Sequence, residues 1–337
     1  MTDALVPLLA VAVVVVVVLP ASALLAKGAL SLLEREVGGG PLHGLDARFF
    51  VLVGSTALPL VWLLSAAVHQ AEEGRAAVAC SLAHGADGCS EPLTFAVALA
   101  ALVLGAAALL LGRRRGPRGA VSREAEATRA RVEALVARHA ALTPLSGRIV
   151  LTEAPGFSIS AHGLLAPRVF VGVAFAAKLG DDALRGALAH ELEHVGSRDP
   201  LRYLLVELAL SVNPLGAWLL RSHAARWQAA REAHCDREAV VRGAAPLALA
   251  DAIVQAARPA PTEAVALGAR DTAVLRLRVG MLLAFAERPP TRCCHASSPA
   301  AWGACALLVA ALVTPHHSSS APLDALHRDV ERALTAR

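Results

Sequence analysis

The apolar residues of this chain gather into long unbroken runs before they fall into any period. The stretch from Leu5 to Ala26 is almost wholly apolar, long enough to cross a hydrocarbon layer of ~30 Å as a helix. A second run covers about Phe49 to Val68, a third Leu93 to Leu111, and a shorter fourth about Pro299 to Val313. The first run has a rival reading as a secretory signal, because Ala21-Ser22-Ala23 resembles a cleavage site. Asp3 stands where such a signal carries Lys or Arg, and the run exceeds a usual signal core, so a retained span is the better expectation.

Between the third and fourth runs the pattern changes. Ser122 to Ala140 is charged and helix-forming, its charges most simply a solvated face. Arg148 to Thr152 and Arg168 to Gly172 read as strands, with Gly156, Gly163 and Pro167 as punctuation between them. Asp181-Asp182 offers a cap to a helix through Leu184, Leu188 and Leu192, and the remainder to Phe285 reads as helical. Leu201 to Leu220 is apolar enough to suggest another crossing, yet it holds Arg202, Glu207 and Asn213-Pro214. A helix that dips into the membrane and breaks at Asn213-Pro214 is favoured over a full span.

Composition agrees with several spans. Of 337 residues 55% are hydrophobic and only 18% charged, below the ~25% of soluble domains. The mean hydropathy is +0.53. The net charge of +4 is local, not a basic face, so nothing argues for direct nucleic-acid binding. Arg113-Arg114-Arg115 and Arg118 follow the third run directly and mark that side as cytoplasmic. The acidic loop before it, with Glu72, Glu73, Asp87 and Glu91, suits the exterior. Expected units are therefore 1–112 with three spans, a cytoplasmic region 113–298, a fourth span 299–314 and an exterior tail 315–337. Cys80 and Cys89 lie in the exterior loop, as a disulfide or as two free thiols; no CxxC pairing suggests a cysteine metal site.

The chemistry lies in His190-Glu191-Leu192-Glu193-His194. On a helix, residues i and i+4 share a face, so both imidazoles reach one ion while Glu191 is placed to take a proton from metal-activated water. A catalytic zinc site commonly adds one more protein ligand, and Glu232, in Arg231-Glu232-Ala233-His234-Cys235-Asp236, is the candidate. Glu238 and His234 are its rivals. Asp236, one turn from Glu232, and Asp199 are candidates to hold the ligating imidazoles from behind.

The order of apolar runs, His190-Glu-x-x-His194 with Asp199, the stretch with Asn213-Pro214, and Glu232-x-x-Cys235-Asp236 resemble the BlaR/MecR-type membrane metallopeptidases, among the gluzincins. Leu275 to Leu283 also resembles a helix that follows the active site there. The resemblance implies a mainly α membrane protein of about four transmembrane helices with a cytoplasmic α+β zinc protease domain. It implies His190, His194 and Glu232 as Zn²⁺ ligands, Glu191 as general base, and a protein substrate such as a transcriptional repressor. Beta-lactam sensors of that family carry an exterior penicillin-binding domain after the last span. The residues after Val313 hold no Ser-x-x-Lys motif, so beta-lactam sensing by these residues is not expected.

The leading expectation is peptide-bond hydrolysis, with a substrate paired to the strand around Val169 to Val173 and an oxyanion stabiliser among Tyr203, His223, Arg226 and Arg231. The alternative is an inactive membrane signalling or scaffold protein with a structural or vestigial metal site, closed by Cys235 or His234. A transporter is disfavoured by the few polar residues within the spans.

Overall fold

Two helices near the amino terminus begin the computed structural model, which describes residues 14–36, 44–61, 105, 122–257 and 269–290. Within these residues the chain is mostly helical, with one small sheet. A π-helical turn, Val14–Val18, runs into α1, Leu19–Glu36. The apolar run stops at Ala26, but the helix does not, because 27–36 contains no proline and mostly strong helix formers. Val15–Glu34 is the one helix among the described residues long and apolar enough to cross a membrane, with a mean hydropathy of 2.0. Helix α2, 45–61, covers the start of the second apolar run. The third run apart from Gly105, the fourth run, and the Cys80–Cys89 pair lie outside the described residues.

Helix α3, Arg123–Arg138, is capped by the Ser122 hydroxyl, which accepts the Ala125 N–H, and has Glu124 and Glu126 in its first turn. It buries Ala125, Val132, Leu135 and Val136 at helical spacing and leaves most of its charges exposed. The sheet holds β1, Ile149–Thr152, β2, Ile159–His162, and β3, Arg168–Gly172, in the order β1-β3-β2. β3 pairs parallel with β1 and antiparallel with β2. Both edges of β3 are therefore occupied, and Val173 already starts the short helix α4, Val173–Ala176. This corrects the expectation that Val169 to Val173 could take a substrate strand; the edges are β1 and β2, the latter not resolved from the sequence.

Helix α5, Asp181–Gly196, is preceded by Gly180 as its cap. Asp181 and Asp182 sit in the first turn instead of capping it, and Arg131 donates to Asp181 at 2.8 Å. Helices α6, Asp199–Val212, and α7, Gly216–Val241, are separated at Asn213-Pro214. The Asn213 carboxamide accepts the N–H groups of Leu215 and Gly216 and donates to the Leu19 carbonyl at 2.7 Å, docking the turn against α1. Arg231 on α7 reaches Asp199 at the start of α6, so the pair is an antiparallel hairpin. Helices α8, Pro246–Ala257, and α9, Ala269–Glu287, complete the described chain.

Two apolar clusters result. One joins α3, the sheet, α5 and α8 around Leu145, Val171, Leu184 and Leu249. The other joins α1, α2, α6 and α7 around Leu30, Leu52, Leu220 and Trp227. Outside the second cluster, Leu24, Leu25, Phe50, Val61 and Trp218 are exposed.

Candidate metal centre

Helix α5 carries His190 and His194 one turn apart, and their Nε2 atoms face each other at 3.1 Å. The α6–α7 hairpin returns Glu232 to them from a distant part of the sequence. One carboxylate oxygen of Glu232 lies 3.5 Å from His190 Nε2 and the other 3.5 Å from His194 Nε2. Ligand atoms of these three residues all fall within 4.8 Å of one another.

Each imidazole is held from behind. Asp199 Oδ2 lies 2.8 Å from His194 Nδ1, and Asp236 Oδ1 lies 2.8 Å from His190 Nδ1, though off the line of a good N–H hydrogen bond. Both aspartates are fully buried. Carboxylates at Nδ1 draw the ring proton to that side and turn the Nε2 lone pairs forward. Two such lone pairs at 3.1 Å repel unless a proton or a cation lies between them.

The charge balance points the same way. Burial works to lower the His190 pKa, but Asp236 and Glu232 outweigh it and raise it to about 10. His194 is likewise raised, against burial, by Glu232 and Asp199. Glu232 is held well below the usual carboxylate range: burial opposes this, and His194, His190 and Arg278 overcome it. The cluster thus attracts positive charge, and two neutral imidazoles with a carboxylate are a donor set that a divalent ion such as zinc accepts.

Glu191 lies beside the pair and faces a cleft of about 1030 Å³. Burial raises its pKa, the two imidazoles pull it back, and a backbone hydrogen bond from Ala161 also favours its charged form. One wall of the cleft is β2 with its flanks, Ser158 to Gly163; another is apolar, with Phe175, Leu249 and Ile253. Gly172 N–H bonds to the Ser158 carbonyl, so in the antiparallel register Ser160 also bonds to β3, while the backbone groups of Ile159 and Ala161 point outward.

The rivals for the third ligand place lie elsewhere. Glu238 accepts from Arg237 at 2.7 Å, and His234 lies 3.7 Å from Glu193. Cys235 Sγ is 3.6 Å from His194 Nδ1, and His194, Asp199 and Cys235 form a second group of potential ligands. That group lies on the Nδ1 side of His194, which Asp199 already occupies, so Cys235 cannot close a site built on the Nε2 side.

The four oxyanion candidates separate cleanly. His223 and Arg226 both pair with Glu34 of α1, at 3.0 and 3.1 Å. Arg231 is buried behind His194, bound to Asp199 at 2.8 Å. Tyr203 alone of the four lines the cleft, its hydroxyl donating to Glu232 at 3.3 Å. Arg278, which the sequence reading did not single out, also lines the cleft and lies 2.9 Å from Glu232. Its only sequence signal is a charge inside the apolar segment Leu275 to Leu283. Compared with protein-family models, curated proteins and solved structures, the chain matches none of them.

Proposed function

We propose that this protein is a zinc-dependent endopeptidase of the BlaR/MecR-type membrane metallopeptidases. The observation that carries the reading is the convergence of His190 Nε2, His194 Nε2 and the Glu232 carboxylate beside Glu191 in one cleft. His190, His194 and Glu232 would hold the zinc, which would supply Lewis acidity to the attacking water and the scissile carbonyl.

The chain's own residues supply the remaining chemistry. Asp199 and Asp236 orient the two imidazoles. Glu191, its basicity raised by burial, accepts the proton of the attacking water and delivers it to the leaving amine. The outward backbone groups along β2 pair with an extended peptide and set the scissile bond over the ligand cluster. Tyr203 is placed to donate to the oxygen that gains charge. The apolar wall with Leu249 and Ile253 receives an apolar side chain of the peptide.

The reading extends to the membrane. The Val15–Glu34 helix and the exposed apolar side chains of α1 and α2 suit a lipid bilayer, with about four spans in all and the 113–298 region on the cytoplasmic side. A cytoplasmic repressor protein is the substrate expected of such a signalling protease. The test is Glu191→Gln in the purified full chain. The variant should bind one zinc per chain and a hydroxamate inhibitor while losing on the order of 10²–10⁴ in peptide cleavage. Undiminished cleavage by the variant, or a wild-type chain that takes up no zinc, ends the assignment.

A further inference from the structure

Helix α9 reaches the site with one side chain. Arg278 Nε and Nη2 donate to the two oxygens of Asp236 at 2.7 and 2.8 Å, and Nη1 lies 2.9 Å from Glu232 Oε2. Three guanidinium nitrogens thus engage two carboxylates that α7 places one turn apart. Asp236 stands behind His190, and Glu232 faces both imidazoles. The side chain of Arg278 is only 15% exposed.

We propose that Arg278 is a positioning residue for the metal centre: it fixes the Glu232 carboxylate toward the two histidines and holds Asp236 behind His190, so that the ligand set is complete only with α9 docked. The inference rests on the zinc-site reading above. Two carboxylates one turn apart on a helix repel each other, and each has rotamers that turn it away from the histidines. A planar fork bridging both fixes their directions as well as their charge. A point charge in the same place would offset the repulsion but could not define both directions. A positive group near a dication otherwise weakens metal binding, so any gain from Arg278 comes from orientation, not attraction.

That distinction supplies the experiment. Zinc affinity of the full chain in detergent is measured by competition with a chromogenic chelator for the wild type, R278K, R278Q and R276Q. Arg276 is exposed on the same helix and serves as the control. R278K and R278Q are expected to lose 10- to 100-fold in zinc affinity, the range seen when groups supporting metal ligands are removed. R276Q is expected to match the wild type. At saturating zinc, kcat should fall in R278K with little change in KM, because the cleft wall of β2 and α8 is untouched. Should R278K fail to fold, the double variant R278Q/D236N is compared with D236N alone and should bind zinc more weakly, because Glu232 has then also lost its guanidinium partner. A wild-type zinc affinity in R278K, or a double variant that binds zinc as tightly as D236N, overturns the inference and leaves the protease reading standing. A wild-type chain without zinc affinity removes both.

Discussion

Asp199 Oδ2 lies 2.8 Å from His194 Nδ1 and also accepts from Arg231 Nη2 at 2.8 Å, so a single buried oxygen sets a candidate ligand's tautomer and neutralises an interior guanidinium. Asp199→Asn keeps the volume and removes the charge. Two effects are expected together: zinc affinity falls about 10- to 100-fold, and stability falls by roughly 3–5 kcal/mol because Arg231 is left buried without a counter-charge. Chelator competition and denaturant titration read them separately. Unaltered zinc binding in a folded variant would show that His194 is oriented by something else.

Asn213 closes the α6–α7 turn by accepting from Leu215 and Gly216 and ties it to α1 with one hydrogen bond, to the Leu19 carbonyl. Asn213→Ala leaves the Leu19 carbonyl and the N–H groups of Leu215 and Gly216 without their partner. The expected cost is about 2–4 kcal/mol of stability, read as a lower denaturation midpoint in detergent. A midpoint within error of the wild type would mean that water or lipid serves these groups equally well.

Gly172 closes β3 where the chain passes the Phe157 and Ser158 carbonyls, and an added methyl would collide with the Phe157 oxygen. Gly172→Ala should therefore lower stability by at least the upper end of the ~1–3 kcal/mol typical of overpacking. It should also depress cleavage, since the segment it displaces leads directly into β2. Full activity at the wild-type melting temperature would remove β2 from the substrate's path.

If a peptide pairs with β2, its bonds run to Ile159 and to the Ala161 carbonyl, which face away from β3, the Ala161 N–H being already engaged by Glu191. Methylating the backbone nitrogen of a substrate residue that pairs there should raise KM about 3- to 10-fold per bond lost, with kcat less affected. A methyl scan along the peptide with no position-dependent change would refute strand pairing.

Much of the centre was legible because it depends on local spacing. His190, Glu191 and His194 are set by the helical repeat, and Asp236 by its single turn from Glu232. The break at Asn213-Pro214 follows from proline and carboxamide chemistry that a sequence displays. What could not be read depends on tertiary partners. Tyr203, His223, Arg226 and Arg231 are equivalent polar residues on paper; only the packing of α1 against α7, through Glu34, takes two of them out of reach of the cleft. β2 is four residues, Ile-Ser-Ala-His, with too little apolar alternation to announce a strand. Arg278 comes from a helix far along the chain, and nothing in its neighbours reveals which carboxylates it meets.

Helix α7 is unbroken for 26 residues, about 39 Å at ~1.5 Å per residue. Its early turns pack Leu220, Ala224 and Trp227 among α1 and α2, while Glu232 and Asp236 ride farther along the same rod. No hinge separates the two stretches. A shift or tilt imposed where α1 grips the rod therefore arrives at the carboxylate end as a displacement, and strain originating among the apolar helices can change how well three donor atoms converge without any messenger crossing the space between.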